Sequence, residues 1–446
     1  MSVLGALELL VLAGVLANMP ALFQALGWMP VAAPPAGAVA VAAGLMLAMM
    51  IAVGLYHWTV MQDPIDLIGR LAAAFGLALV ADAAVSYLAP GLRVDPDHLL
   101  VGGGIAFLLL LAVRMAFLAL ARQGRLQPRI LLVGRGQPLE QVRELAGQGR
   151  LRGYQVADVI QIEKSRNTPP RAQEVPRDLA RYARAQAIDE IVLADDVDLA
   201  ELPPEPLIEA RLGGFQVSDY QTFCERCLGV VDLDHLQPRW FLVSGGFRTG
   251  AVNRALKRGL DLCVAVAVLV LSAPICVVTA LAIKLESRGP IFYKQQRTGL
   301  GGAPFTLIKF RSMHQGAETS DQPQWASRGD PRVTRVGAVI RQARIDEIPQ
   351  AINVLRGDMS FVGPRPERPE LVEMLSAEIP YFHYRHAVKP GITGWAQLNY
   401  PYGASVEDAK RKLEHDLFYI KYLSLAFDLL IVLQTVRVVL WSQGAR

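Results

Sequence analysis

The chain has 446 residues, 52% hydrophobic and only 19% charged, with a net charge of +4; its mean hydropathy is positive. That length carries two or three domains, and the balance points to a membrane protein with soluble parts. It argues against a nucleic-acid partner: basic residues gather in the second half and beside apolar runs, where they suit anionic lipid headgroups or phosphate substrates, and neither zinc-finger spacing nor an aromatic-and-basic platform occurs.

At the N-terminus no basic segment or cleavage site precedes the apolar sequence, so no removable signal peptide is expected. Four apolar stretches, roughly 3–26, 37–61, 68–90 and 98–121, are each about long enough to cross a bilayer. They predict a membrane α-helical bundle over 1–124. The first connection, Gly27 to Gly37, is Pro-rich and lacks Lys and Arg, and the third sets Arg93 against Asp95 and Asp97. Arg70 lies in the second connection, and Arg122, Arg125 and Arg129 follow the fourth stretch. The positive-inside rule then places both ends of this unit in the cytoplasm.

Next, Arg129 to Gly134 (RILLVG) reads as a buried strand running into a glycine turn, and Gln137-Pro138 opens a helix, since Pro suits a first helical turn. Gly134-Arg135-Gly136 is part of a dinucleotide fingerprint, but Leu139 stands where a third small residue belongs. No ribose-binding acid follows: Asp158 lies mid-strand and Glu163 past its end. Strands near Gln155–Ile162 and Ile188–Ala194 complete the pattern of a small parallel, Rossmann-like α/β domain over 127–245. A structural, dimerising or ligand-sensing role is expected of it, ahead of a nicotinamide-dependent sugar-modifying enzyme centred on Gly134. Cys224-Glu225-Arg226-Cys227 is a lone C-x-x-C and reads as packing. With Cys263 and Cys276 inside an apolar run, cysteine usage predicts a reducing compartment and no disulfide framework.

A fifth apolar run, about Leu260 to Ile283, is basic on both sides: Arg254, Lys257 and Arg258 precede it, Lys284 and Arg288 follow. Ser272-Ala273-Pro274 lies at its middle, where Pro removes a helix hydrogen bond and bends the axis. Basic flanks at both ends fit a segment that enters and leaves on one membrane face better than a span.

Residues 344–369, RIDEIPQAINVLRGDMSFVGPRPERP, concentrate the chemistry. Asp346 and Glu347 form an adjacent acid pair, followed by a Gly357-Asp358 turn and a rigid Pro364-Arg365-Pro366 corner. Ile188-Asp189-Glu190-Ile191 repeats the acid pair in a region expected to lack a comparable basic cluster, and such a pair alone is usually a solvated face. What distinguishes 346 is its company: Arg328, Arg332, Arg335, Arg341 and Arg344 upstream, Arg356, Arg365 and Arg368 downstream. Adjacent helical side chains diverge by about 100°, so two carboxylates can divide labour, one attacking phosphorus and one holding Mg²⁺.

From about Lys257 to its end the chain resembles the bacterial sugar transferases of the monotopic phosphoglycosyl transferase superfamily. The resemblance rests on motifs in order: Gly289-Pro290-Ile291-Phe292, Gln296-Arg297-Thr298-Gly299, Lys309-Phe310-Arg311-Ser312-Met313, the 344–369 block, Lys389-Pro390-Gly391-Ile392-Thr393-Gly394-Trp395-Ala396-Gln397 and Asp416 to Ser424. The connector 218–241 is more loosely similar to large exopolysaccharide sugar transferases, including those named for PEP-CTERM systems. The resemblance implies a mainly α catalytic domain over 250–446, anchored from the cytoplasmic side of the bacterial inner membrane by a re-entrant membrane helix at about 258–285. It implies transfer of a sugar 1-phosphate from a nucleotide sugar, with UDP expected, to undecaprenyl phosphate, initiating exopolysaccharide synthesis. Asp346 would be the nucleophile of a covalent aspartyl intermediate and Glu347 the Mg²⁺ ligand. Arg365, set by Pro366 and its other proline, would fork onto phosphate or nucleotide. Lys309 and Arg311 would neutralise diphosphate charge, Arg297 with Gly299 would shape the pocket, and Arg341 joins the same substrate-binding set. Gly391 and Gly394 read as turn formers. A homodimer is compatible with this large form.

Two positions depart from the family pattern: Ala343 stands where relatives carry Ser or Thr, and Tyr422 where they often carry Asn. Ser405-Val406-Glu407-Asp408 resembles a capping box. The apolar Leu425–Trp441 that follows, interrupted by Asp428, Gln434 and Arg437, reads as an amphipathic helix lying at the interface. The rival reading is an inactive membrane scaffold whose α/β domain senses a nucleotide sugar.

Overall fold

The structure, a computed structural model, describes residues 2–25, 35–56, 64–92, 94, 98–122, 127–149, 151, 154–162, 176, 178–193, 204–247, 250–315, 332–400, 403 and 405–440. Two compact units emerge, Met1–Gln127 and Pro128–Arg446.

In the first unit, α1 (Ser2–Ala25), α2 (Ala36–Ala52), α3 (Pro64–Leu88) and α4 (Gly103–Arg122) occupy the four expected stretches, packed through Leu12, Met46, Met50, Leu67, Leu71 and Leu110. Their reach differs. Leu67–Leu88 and Leu100–Phe117 are long and apolar enough to cross a membrane. By contrast, α2 stops after 17 residues, about 26 Å at the helical rise and short of the roughly 30 Å hydrocarbon core. The chain turns there through Gly54 at φ +78°, well before the expected limit at 61. Inside the bundle, Arg114 lies 2.7 Å from Glu8 and donates to the Leu55 carbonyl, while the Tyr56 hydroxyl also donates to Glu8. Pairing is what lets these charges sit in an apolar interior.

The second unit opens with β1 (Arg129–Gly134), α5 (Gln137–Gly147), β2 (Gln155–Gln161), α6 (Leu179–Ala185), β3 (Glu190–Leu193), α7 (Pro204–Leu212), β4 (Gln216–Asp219) and α8 (Tyr220–Leu228). The strands pair in parallel in the order β2-β1-β3-β4. Three of the four were expected; β4 reads QVSD and has no apolar run to mark it. Because β1 is covered on both faces, it is apolar throughout its middle. Ile130 and Leu132 pack with Leu139, Phe223, Cys224 and Cys227, and Leu131 and Val133 with Leu179 and Leu207. Leu139 thus fills core space where the fingerprint has a small residue. Both cysteines are buried in the same cluster, and burial pushes the Cys224 thiol up.

After α9 (Pro238–Val243), α10 (Ala251–Glu286) is one helix of 36 residues with Pro274 inside it. The Ser272 hydroxyl donates to the Val268 carbonyl just before the proline. Its buried positions, Asp261, Ala265, Ser272, Thr279 and Ile283, fall on one stripe by the 3.6-residue period. Opposite them Val266, Val270, Val277, Val278, Leu281 and Leu285 are exposed.

A hairpin of β5 (Phe292–Thr298) and β6 (Pro304–Phe310) follows. Then come α11 (Arg335–Gln342), a 3-10 turn at Ile345–Glu347, α12 (Gln350–Arg356), β7 (Ser360–Val362), α13 (Pro369–Glu378), a 3-10 turn at Phe382–Ala387, β8 (Gly391–Thr393), α14 (Trp395–Asn399), α15 (Val406–Lys421) and α16 (Leu425–Leu440). The expected capping box opens α15: Ser405 and Asp408 exchange side-chain and backbone bonds. In α16 the expected polar face turns inward. Asp428 is 1% exposed and takes Lys257 Nζ at 2.7 Å and the Tyr419 hydroxyl at 2.7 Å. The side chains of Arg437 and Trp441 lie outside the described residues.

The parallel sheet and the second half share one body, so the boundary expected near 245–250 falls inside the second unit. Glu225 on α8 takes Lys421 Nζ at 2.6 and 2.8 Å, the Tyr422 hydroxyl at 2.7 Å and the Trp240 indole at 2.5 Å. The Trp395 indole donates to the Gly229 carbonyl at 2.8 Å.

Candidate functional site

Glu286, at the end of α10, accepts the N–H groups of Arg335 and Val336, and Thr334 accepts that of Gly337, so the start of α11 is fully capped. The helix ends at Ala343, and Arg344 takes the left-handed conformation at φ +58°, costly for a non-glycine residue. This turn swings the chain into Ile345–Glu347 and brings the Arg344 guanidinium within 3.6 Å of Glu347.

The two carboxylates have opposite environments. Glu347 is buried; Arg365 lies 2.8 Å and Lys309 3.5 Å from its Oε1, and Arg344 faces its Oε2. Burial alone would raise Glu347, but Arg365, Lys309 and Arg344 hold it well below the usual carboxylate range. Asp346, half-buried, has no hydrogen bond or ion pair among the described residues. Burial and then the Glu347 charge push it up to about 6, against the pull of Lys309, Arg341 and Arg365.

The Pro364-Arg365-Pro366 corner lacks two N–H donors, so it is held by its carbonyls. Pro364 O accepts Gly391 N–H at 2.9 Å and Glu367 O accepts Thr298 N–H at 2.9 Å. Arg365 O accepts Arg385 Nη2 at 3.1 Å, and Pro366 O accepts Arg297 Nη1 at 3.2 Å. Four consecutive carbonyls thus rest on three elements other than their own. The close approach requires glycine: a Cβ on Gly391 would meet Gly363 N at 2.1 Å, and one on Gly394 would meet Gly363 O at 2.3 Å. These glycines serve contact between strands, where turns were expected.

Of the expected site residues, the structure gathers Asp346, Glu347, Lys309, Arg341 and Arg365. Pro366 and Arg297 lie behind Arg365; Arg297 also binds Gln295 Oε1 at 2.6 Å and sits 3.7 Å from Glu367. Arg311 is buried and directed elsewhere, donating to the carbonyls of Arg288 and Ser287 at 2.6 and 2.9 Å beyond the end of α10. Arg328 lies outside the described residues. Sequence reading missed Arg385, which has no run or motif to mark it, although its partner Asp416 opens a motif singled out above.

A divalent ion fits this donor set, because Asp346 offers a carboxylate without a partner among the described residues beside a second carboxylate, and Mg²⁺ is held by one or two carboxylates plus phosphate oxygens. A separate acidic group, Asp232, Asp234 and Glu414, brings its oxygens within 4.8 Å. Lys410, Arg411 and His235 pair with it, and it belongs to the joint between the sheet and α15.

Comparison with known proteins converges on this half. The bacterial sugar transferase family model matches residues 252–442. An Aeromonas hydrophila protein named UDP-N-acetylgalactosamine-undecaprenyl-phosphate N-acetylgalactosaminephosphotransferase is 44% identical over 257 residues, 57% of this chain and 60% of that protein. The UDP-glucose:undecaprenyl-phosphate glucose-1-phosphate transferase of Caulobacter vibrioides is 48% identical over 191 residues, 42% of this chain and 71% of that protein. A Bacillus subtilis sugar transferase, EpsL, named as uncharacterized, is 42% identical over 189 residues, 42% of this chain and 89% of that protein. The chain thus spans under two thirds of the first of these relatives and more of the other two.

Proposed function

This chain belongs to the bacterial sugar transferase family, and from that premise we propose that it moves a sugar 1-phosphate from a UDP-sugar to undecaprenyl phosphate, initiating exopolysaccharide assembly. The observation that carries the reading is the asymmetry of the acid pair: Glu347 is bound by three cations, while among the described residues Asp346 beside it is bound by none. An oxygen of Asp346 attacks the phosphorus that bears the sugar. The bond from that phosphorus to the UMP oxygen breaks, and UMP leaves with the electron pair. An oxygen of undecaprenyl phosphate then attacks the same phosphorus and expels Asp346 as carboxylate, leaving undecaprenyl diphosphosugar.

Lys309, Arg341 and Arg365 supply fixed positive charge where the diphosphate would lie, in a site that pays no reorganisation during reaction. Glu347 would hold Mg²⁺ beside Asp346, and the bound ion would supply Lewis-acid charge to the phosphoryl oxygens. Arg297 and Pro366 shape the wall behind Arg365, and Arg311 fixes the end of α10 on the same domain.

Membrane attachment follows from α10. Lys257, Arg258 and Asp261 tie its first turns to Asp428, to the carbonyls of Val354 and Leu355, and to Ser360 and Phe361. Near its other end Ile283 packs with Phe310 and Ile340. A helix bound near both ends to one body cannot deliver them to opposite membrane faces, which supports a re-entrant or monotopic insertion with its exposed valine-leucine face in lipid. The catalytic domain then lies at the cytoplasmic face of the inner membrane, in a chain whose N-terminal unit is multi-pass.

The relatives' names differ in the sugar, so the test is Mg²⁺-dependent UMP release from a panel of UDP-sugars with undecaprenyl phosphate. Wild type is expected to release UMP with at least one sugar, and Asp346→Asn to lose at least about 10³-fold. Equal release by both proteins, or none by folded wild type, would overturn the proposal.

A further inference from the structure

Arg385 and Asp416 form an ion pair away from the acid dyad, with side chains 6% and 2% exposed. Asp416 Oδ2 accepts Arg385 Nε at 3.1 Å and Nη2 at 2.8 Å. The same Nη2 reaches the Arg365 carbonyl at 3.1 Å, and Arg365 Nη2 in turn lies 2.8 Å from Glu347 Oε1. A buried pair of this kind gives little net stability, because removing two charges from water costs about what their attraction returns. Its bond to one backbone oxygen of the corner is therefore the informative contact. Proline on each side of Arg365 fixes the neighbouring φ angles, so the direction of the Arg365 side chain depends on where its own peptide is held.

We propose that Arg385 and Asp416 are positioning residues for the transfer reaction: Asp416 orients the Arg385 guanidinium, Arg385 fixes the Arg365 carbonyl, and Arg365 is thereby aimed at Glu347. The inference rests on the transferase reading above and assigns these two residues no contact with substrate. The chain of contacts crosses three elements, α15, the Phe382–Ala387 turn and the corner, none adjacent in sequence to the acid pair.

The test is a double-mutant cycle on the full-length protein with the UDP-sugar that wild type uses, measuring kcat alongside the thermal unfolding midpoint. Arg385→Lys and Asp416→Asn should each lower kcat about 10–100-fold, the scale of a misplaced group. Arg365→Lys combined with Arg385→Lys should be no slower than Arg365→Lys alone, within about twofold, because both changes remove one function. Multiplying losses at an unchanged unfolding midpoint, or a wild-type kcat in Arg385→Lys, would overturn the inference. If Arg385→Lys does not fold, Asp416→Asn in the same cycle decides it. Hydrogen exchange of the 360–370 peptide separates this failure from failure of the transferase reading. Faster exchange there in Arg385→Lys or Asp416→Asn supports the positioning role even when wild type releases no UMP, and unchanged exchange defeats it.

Discussion

The tetrapeptide Ile-Asp-Glu-Ile occurs twice, at 188–191 and 345–348, and the fold treats the two copies differently. In the parallel sheet, Asp189 accepts the Arg129 N–H at 2.7 Å. Glu190 is buried and bound by the Ser218 hydroxyl and Arg226. Both carboxylates in that copy have a partner, and the expectation of a solvated face holds for the exposed Asp189 but fails for Glu190, which points into the domain from β3. In the second copy the glutamate is bound by three cations, while the aspartate has none among the described residues. A buried acid becomes a candidate for chemistry when the structure leaves it unpartnered beside a neutralised neighbour; residue type alone does not decide it.

Glutamine substitutions separate the copies most widely. Glu347→Gln leaves Lys309, Arg344 and Arg365 without their shared anion and is expected to lower kcat about 10²–10³-fold. Glu190→Gln should leave kcat within about twofold in the same UMP-release assay. The pH profile comes next. With Asp346 at about 6, kcat/KM should fall about tenfold per unit as pH drops below that value, because protonation removes the attacking electron pair. A flat profile between pH 5 and 7 would contradict this.

Stability gives a smaller contrast of opposite sign. Asp346 is raised from 3.8 to about 6 on folding, so its contribution is fully present below 3.8 and is lost as pH rises through about 6. Asp346→Asn should therefore melt a few degrees above wild type at pH 7.5, on a scale of about 2–4 °C per kcal/mol, and level with it near pH 4. Glu190→Gln should melt lower at pH 7.5, by about 1 kcal/mol, since its partner Arg226 is partly exposed and screened. Scanning calorimetry of the three proteins at both pH values reads all of this.

Apolar runs were enough to locate the four N-terminal helices and β1, while the placing of Lys309 and Arg365 with the acids was an expectation of the family resemblance. Features set by partners distant in sequence stayed hidden. β4 is a strand because β3 pairs with it. Asp428 looks like a solvent-facing interruption until Lys257, 171 residues away, is placed against it. Arg344 has to adopt φ +58°, and no local pattern marks an arginine for that conformation. Arg311 is expected from the family resemblance to neutralise diphosphate charge, yet its guanidinium fork fits the carbonyls beyond α10.

The Glu225 joint has a consequence for modular exchange. A segment of 189 residues of this chain matches 89% of the length of the Bacillus relative, so a segment of that size exists elsewhere with little else attached. Here, cutting before residue 250 would strip Lys421, 5% exposed, of its counter-ion, and Tyr422 and the Trp395 indole of their acceptors. An unpaired buried ammonium is among the costlier defects a domain can carry. A transplant of this catalytic half into a shorter relative would therefore have to replace Lys421, Tyr422 and Trp395 as a set, and a graft of the sheet onto another transferase would have to bring them along.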